Sequence, residues 1–264
     1  MLMSVRGAIA ATLLAGTALA ATPAFAQDSD IPADISVSAN VALTSDYRFR
    51  GVSLSAGDPA IQGGFDLSHS SGFYIGTWAS SISGGPVYGD QELDIYAGWT
   101  GDLGASGLSL DVGLLLYAYP SGHVGKANYW EPYASISGTL GPASITTGVA
   151  YAWDQDSLGN QDNLYIYTDA EVAIPDTPFT LSGHLGYTDG VLAPDLLAGG
   201  YDDTGLDWSL GVSATIFGPL SASDRVTDST LRFSQEHPSG ANRTGFLVSG
   251  GCLRPFSAGR SLPS

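Results

Sequence analysis

Apolar and polar side chains alternate without a break in register from residue 35 to residue 51, ISVSANVALTSDYRFRG. Odd positions Ile35, Val37, Ala39, Val41, Leu43, Tyr47 and Phe49 are apolar or aromatic, whereas even positions Ser36, Ser38, Asn40, Thr44, Asp46, Arg48 and Arg50 are polar. A period of two predicts a β-strand with one apolar face and one polar face. Strands of soluble domains run about 5–6 residues and strands that cross an outer membrane about 9–11. This stretch is long enough to cross and project. With the apolar face on lipid, the even positions face a barrel interior and carry Asp46, Arg48 and Arg50 there.

The same pattern predicts nine further strands, over 60–68, 73–80, 92–100, 108–119, 129–138, 144–153, 163–174, 179–188 and 206–217. Their parity turns Glu92, Asp94, Asp111 and Glu131 inward, and with them Asp169, Glu171 and Asp207. In 73–80 aromatics occupy both parities and no face is assigned. Connections alternate in length, short after the even-numbered strands and generally longer after the odd ones. Outer-membrane barrels have short periplasmic turns and longer external loops, so the chain starts in the periplasm and the first strand ends at the outer surface. Tyr47, Phe49, Tyr119, Trp130 and Trp153 then fall near outer strand ends, as an aromatic girdle would. The expected fold is all-β: one antiparallel up-and-down transmembrane β-barrel over 35–220, with about twelve strands, of which ten are legible.

The tail breaks the pattern. Residues 221–264 hold Arg225, Arg232, Arg243, Arg254, Arg260 and the single cysteine, Cys252, with no sustained alternation. An open sheet edge in lipid is prohibitive, so two closing strands are expected, and the sequence reads as if they are lost or the frame shifts near Ala222. At the other end, residues 1–26 read as a secretory signal, with Arg6, an Ala/Leu-rich core and Ala24-Phe25-Ala26 before Gln27. Residues 27–34 form a periplasmic lead-in. The net charge is −17, more negative still once Arg6 is removed, which excludes nucleic acid as a partner. One cysteine excludes an internal disulfide framework. No later stretch holds eighteen consecutive apolar residues, which excludes a helical membrane protein.

The run SDYRFRG (45–51), followed by PAIQGGFD (59–66), SGFYIGTWAS (71–80) and ELDIYAG (92–98), resembles the TorF family of porins. Four blocks occur in order, and the likeness in strand spacing extends over residues 35–218. The resemblance implies an outer-membrane barrel and leaves the substrate open. It also implies closing strands that end in an aromatic residue read by the barrel assembly machinery. The tail, ending Leu262-Pro263-Ser264, departs from that pattern.

An acidic inner face of Glu92, Asp94, Asp111, Glu131, Asp169, Glu171 and Asp207, set against Arg48 and Arg50 beside Asp46, predicts a cation-preferring pore, because rings of charge select ions by sign. Passive diffusion of small polar solutes through the outer membrane is the expected function, with membrane lipids and lipopolysaccharide as surroundings. The competing reading is a network of paired charges that fills the lumen, leaving a structural or adhesive barrel. Arg48 and Arg50 also suit lipopolysaccharide phosphate, but their parity points away from lipid. A lipid-acting enzyme would need a nucleophile and a base, for which only Ser182 and His184 share a face. The loop DQDSLG (154–159) departs from a calcium loop at Leu158 and Tyr165. No catalytic residue, metal or cofactor is expected.

Overall fold

A computed structural model of the chain describes residues 32–217 and 220–228, together with the backbone of 245–250. The predicted signal (1–26), most of the lead-in, His237, Cys252 and the tail arginines after Arg225 lie outside the described residues. The strands are β1 (Ile35–Thr44), β2 (Arg48–Phe49), β3 (Val52–Ser53), β4 (Ala60–His69), β5 (Phe73–Ser81), β6 (Gln91–Asp102) and β7 (Leu108–Ala118). They continue with β8 (Tyr129–Leu140), β9 (Ala143–Gln155), β10 (Gln161–Ala173), β11 (Phe179–Gly190), β12 (Thr204–Phe217), β13 (Leu220–Asp228) and β14 (Gly245–Gly250). All except β2 and β3 form one closed antiparallel barrel of twelve strands in chain order. No helix among the described residues is long and apolar enough to cross a membrane.

The alternation read from the sequence becomes two faces. Ile35, Leu43, Ile61, Phe65, Ile95, Leu114, Ile136, Ile166, Leu185 and Leu210 are exposed on the outside of the barrel, a belt with no soluble counterpart layer to bury it. Trp130 and Trp153 also stand exposed near the outer strand ends. In β5 the unassigned faces resolve: Phe73 and Ile75 are exposed, while Tyr74 and Trp78 pack inside.

The first strand differs from its expectation. β1 ends at Thr44, and residues 45–59 fold back into the barrel mouth, so Asp46, Arg48 and Arg50 sit on a loop rather than on β1. Tyr47 and Phe49, expected in the outer girdle, are buried inside, and Tyr119 packs against interior residues as well. The sequence pattern stayed in register through residue 51 because β2 and β3 form a small hairpin of their own, Arg48 opposite Ser53 and Phe49 opposite Val52.

Closure comes from the tail. β13 pairs along β12, and β14 pairs with β13 over Ala222–Thr227 and with β1 at Leu43 and Thr44. Residues 220–228 and 245–250 thus stand in the places of the two closing strands, the second reaching β1 by two pairs. β13 is illegible by pattern because Asp224 interrupts its outward face, where it lies opposite the exposed Val212. A carboxylate on the lipid face costs free energy that falls toward the interfaces. Asp224→Val should accordingly raise the urea midpoint of the refolded barrel by the equivalent of up to about 1 kcal/mol; an unchanged or lower midpoint would place Asp224 in a polar contact.

Inside, tyrosines lie across glycines of the neighbouring strand. A Cβ built on Gly76 meets the Tyr96 ring, one on Gly98 meets Tyr74, one on Gly113 meets Tyr133, one on Gly148 meets Tyr167, and one on Gly186 meets Tyr165. The missing side chains make room for rings that lie along the wall, so that the lumen is lined by phenols at high density.

Candidate functional site

The interior has two layers. Toward the longer connections it is packed. Glu92 and Asp94 of β6 are 0% exposed, Glu131 of β8 is 2% exposed, and Arg50 of the folded-in loop is 2% exposed. Around them lie the stacked pair Tyr117 and Tyr129, ring centroids 4.5 Å apart, and Tyr165, Leu192 and Phe49. Toward the short turns the inward groups Asp66, Asp111, Asp169, Glu171 and Arg225 are only half-buried.

Arg50 holds the outer layer together. Its Nη2 donates to Glu131 Oε1 at 2.7 Å, and its guanidinium carbon lies 4.7 Å from the Phe49 ring centre and 4.2 Å from that of Tyr165. A buried ion pair with a stacked guanidinium is the geometry at which Arg outperforms Lys. The backbone takes up strain to place it there. Arg50 and Gly51 have φ of +47° and +81° and link the short strands β2 and β3, a turn whose first centre usually takes Asn, Asp or Gly. Asp46 shapes the rest of the loop: it accepts from Arg48 Nε at 2.6 Å, Ser53 Oγ at 2.5 Å and Ser55 Oγ at 3.1 Å. Tyr47 donates to Glu92 at 3.0 Å. Leu158, at the position that departs from a calcium loop, is buried in the same layer.

Charge in this layer is unbalanced. Glu131 bonds the buried cation Arg50, whereas among the described residues no cation bonds Glu92 or Asp94. Glu92 Oε2 and both Asp94 oxygens make no hydrogen bond to another protein group, and neither do Arg50 Nε and Nη1. Buried polar oxygens left without a protein partner are expensive, which marks Glu92 and Asp94 out from Glu131.

The half-buried layer is wired differently. Tyr74 donates to Asp111 at 2.5 Å, and the Tyr96 hydroxyl bonds Asp66. His184 Nδ1 meets Asp169 at 2.6 Å, and its Nε2 meets Asp207 and the Tyr165 hydroxyl, each at 2.9 Å. Carboxylate oxygens on both ring nitrogens leave neither as an acceptor for a serine proton, so the pairing of Ser182 with His184 that an enzyme would need is not made. Arg225 is in electrostatic range of Asp169 and Glu171. Outside the barrel, Lys126 bonds Asp156 across two external loops and holds its carboxyl below the usual range.

Of the residues chosen from sequence, Arg50, Glu92, Asp94 and Glu131 are thus brought together in the packed layer. Asp207, also buried, joins Asp169 through His184, while Asp111 and Glu171 stand in the half-buried layer. Asp46 and Arg48 bond each other within the loop. Sequence reasoning missed the tyrosines as a set; inward-parity Tyr facing inward-parity Gly on the next strand was the available signal. It also missed the loop's entry, for which Arg50-Gly51 at a hairpin turn was the cue.

A family described as "Bacterial protein of unknown function (Gcw_chp)" matches residues 27–247. No curated protein matches the chain. Among solved structures, one described as "KdgM porin" superposes with TM-score 0.54 at 10% identity, covering 83% of this chain and 99% of its own. Another, "NanC porin structure in rhombohedral crystal form", gives 0.52 at 9% identity, with coverages of 82% and 100%. A third, "KdgM porin in complex with disordered oligogalacturonate", gives 0.52 at 10% identity, with coverages of 84% and 99%. At such identities the likeness establishes a porin-type barrel fold.

Proposed function

This chain belongs to the Gcw_chp family of bacterial proteins of unknown function, and from that premise we propose that it is a porin-like channel of the outer membrane, passing small polar solutes and preferring cations. The observation that carries this is a closed barrel with an apolar outer belt whose inner face holds Glu92, Asp94, Glu131 and Asp207 buried and Asp66, Asp111, Asp169 and Glu171 half-buried. Arg50 and Arg225 are the inward arginines that oppose them among the described residues. The resemblance to TorF porins in the blocks up to residue 98, and the fold shared with solved porins, support the same reading.

The loop 45–59 closes the outer layer in this conformation, so conduction requires that it withdraw or that solutes pass beside it. Planar-bilayer recording of the refolded protein tests the proposal. Under a salt gradient the reversal potential should show cation preference at low salt that shrinks as the Debye length drops from about 30 Å at 0.01 M to about 3 Å at 1 M. Anion preference would overturn it.

The occlusion of Glu92 and Asp94 favours one second reading, a non-conducting barrel whose external loops bind other surfaces. Silence in the bilayer from both the parent and a variant with the loop released would establish that reading. Lipopolysaccharide contact and recognition by the barrel assembly machinery belong to either reading. A shifted frame near Ala222 is proposed on the same footing: β1 pairs with β14 at Leu43 and Thr44, against ten pairs from Ile35 to Thr44 with β4. Translating the other frames of the gene should reveal an alternating strand ending in an aromatic; if neither frame does, the tail is native.

A further inference from the structure

Arg50 is a ligand in everything but its covalent bond. It sits at the end of a loop that enters the barrel from outside, in a backbone conformation costly for its residue type, and its guanidinium meets a carboxylate and an aromatic face contributed by the wall. Glu131 comes from β8 and Tyr165 from β10. Neither wall group depends on the loop for its position: Glu131 also accepts from Tyr117 on β7 at 3.3 Å, and Tyr165 is fixed by Asp207 and His184. The wall therefore presents a formed cation site whether or not the loop fills it. Beside it Asp94 is fully buried with both oxygens unbonded, and Glu92 has one oxygen unbonded, acceptors that Arg50 does not reach.

We propose that Glu131, Tyr165 and the Glu92–Asp94 pair form a binding site for guanidinium-bearing small solutes, occupied in the closed barrel by Arg50 acting as an internal competitor. The inference rests on the channel reading for its physiological meaning and deepens it by naming the solute class. The chemistry selects a planar guanidinium over a compact ammonium. A fork of N–H donors matches a carboxylate, the flat cation stacks on the Tyr165 ring, and guanidinium is the more weakly hydrated of the two, so it loses less on entering a buried layer.

The test uses the full-length refolded protein with Arg50→Gly. Glycine suits φ +47° and removes the side chain without straining the turn; Arg50→Gln, which keeps a donor for Glu131, serves the same purpose should the glycine variant not refold. Methylguanidinium is the probe and methylammonium the control, with two readouts: the temperature of the heat-dependent gel shift and block of single-channel current. Methylguanidinium should raise the transition temperature of Arg50→Gly and block its current in the millimolar range, and methylammonium should do neither. Adding Glu131→Gln should weaken both effects about tenfold or more, since the charge-assisted hydrogen bond is lost. No stabilisation by methylguanidinium, or equal effects of the two cations, overturns the site. Stabilisation in a silent barrel keeps the site and overturns the channel; conduction without a guanidinium effect does the reverse.

Discussion

Glu131→Gln should expel the loop 45–59 from the barrel and expose Arg48 and Arg50 to trypsin. In the parent, Arg50 is 2% exposed and its charge is met at 2.7 Å by Glu131, so cleavage at the loop should be slow while the barrel is folded. Removing one partner of a buried ion pair costs about 3–5 kcal/mol because the other charge is left uncompensated. The amide keeps an acceptor, which places the substitution at the lower end. The barrel has a cheaper response than unfolding. Its strands are held by long ladders everywhere but at the two-pair seam of β1 and β14, whereas the loop is held by Arg50, by Tyr47 to Glu92, and by a few backbone bonds such as Ser83 N to Leu54 O at 2.8 Å. The loop also regains backbone freedom on leaving, and the left-handed conformation at Arg50 relaxes. The expected outcome is rapid cleavage after Arg48 or Arg50 with the remaining barrel intact on gels, and a larger single-channel conductance. Parent-like resistance to trypsin would show that the loop is fixed by its other contacts and that Arg50 is not its fastening.

Gly186→Ala should destabilise the barrel far more than Gly183→Ala, although both lie on β11 three residues apart. A Cβ on Gly186 would enter the space of the Tyr165 ring and of Asp207 Oδ2 at 2.5 Å, while one on Gly183 would meet only Leu210 Cδ2 at 3.6 Å on the outer face. Overpacking of this kind costs about 1–3 kcal/mol. Here the displaced ring is the one under Arg50, so the loss should appear twice, as a lower urea midpoint and as faster tryptic cleavage of the loop. Gly183→Ala should leave both unchanged or slightly improved, since alanine loses less backbone entropy on ordering. Equal effects at the two positions would mean that Tyr165 moves aside freely and that the tyrosine layer is not tightly packed.

What the sequence by itself determined is what the pleat determines locally. Alternation at every second residue is a property of an extended backbone, so the ten strands from β1 to β12, apart from the small β2 and β3, lie within a few residues of where the pattern puts them, with only the end of β1 displaced. The same parity separated Leu93 and Ile95 from Glu92 and Asp94 before any partner strand was known. The tertiary structure decided three things that no local pattern carries. Arg50 meets Glu131 across 81 residues of chain, because where a loop packs depends on what lies opposite it in space. Tyr74, Tyr96, Tyr133, Tyr165 and Tyr167 each settle on a glycine of a neighbouring strand, which requires the register between strands and not the sequence of either. Closure by β13 and β14 is the third: Asp224 spoils the outward alternation on which legibility rests, and pairing through backbone hydrogen bonds, which are blind to side chains, allows the strand to form all the same.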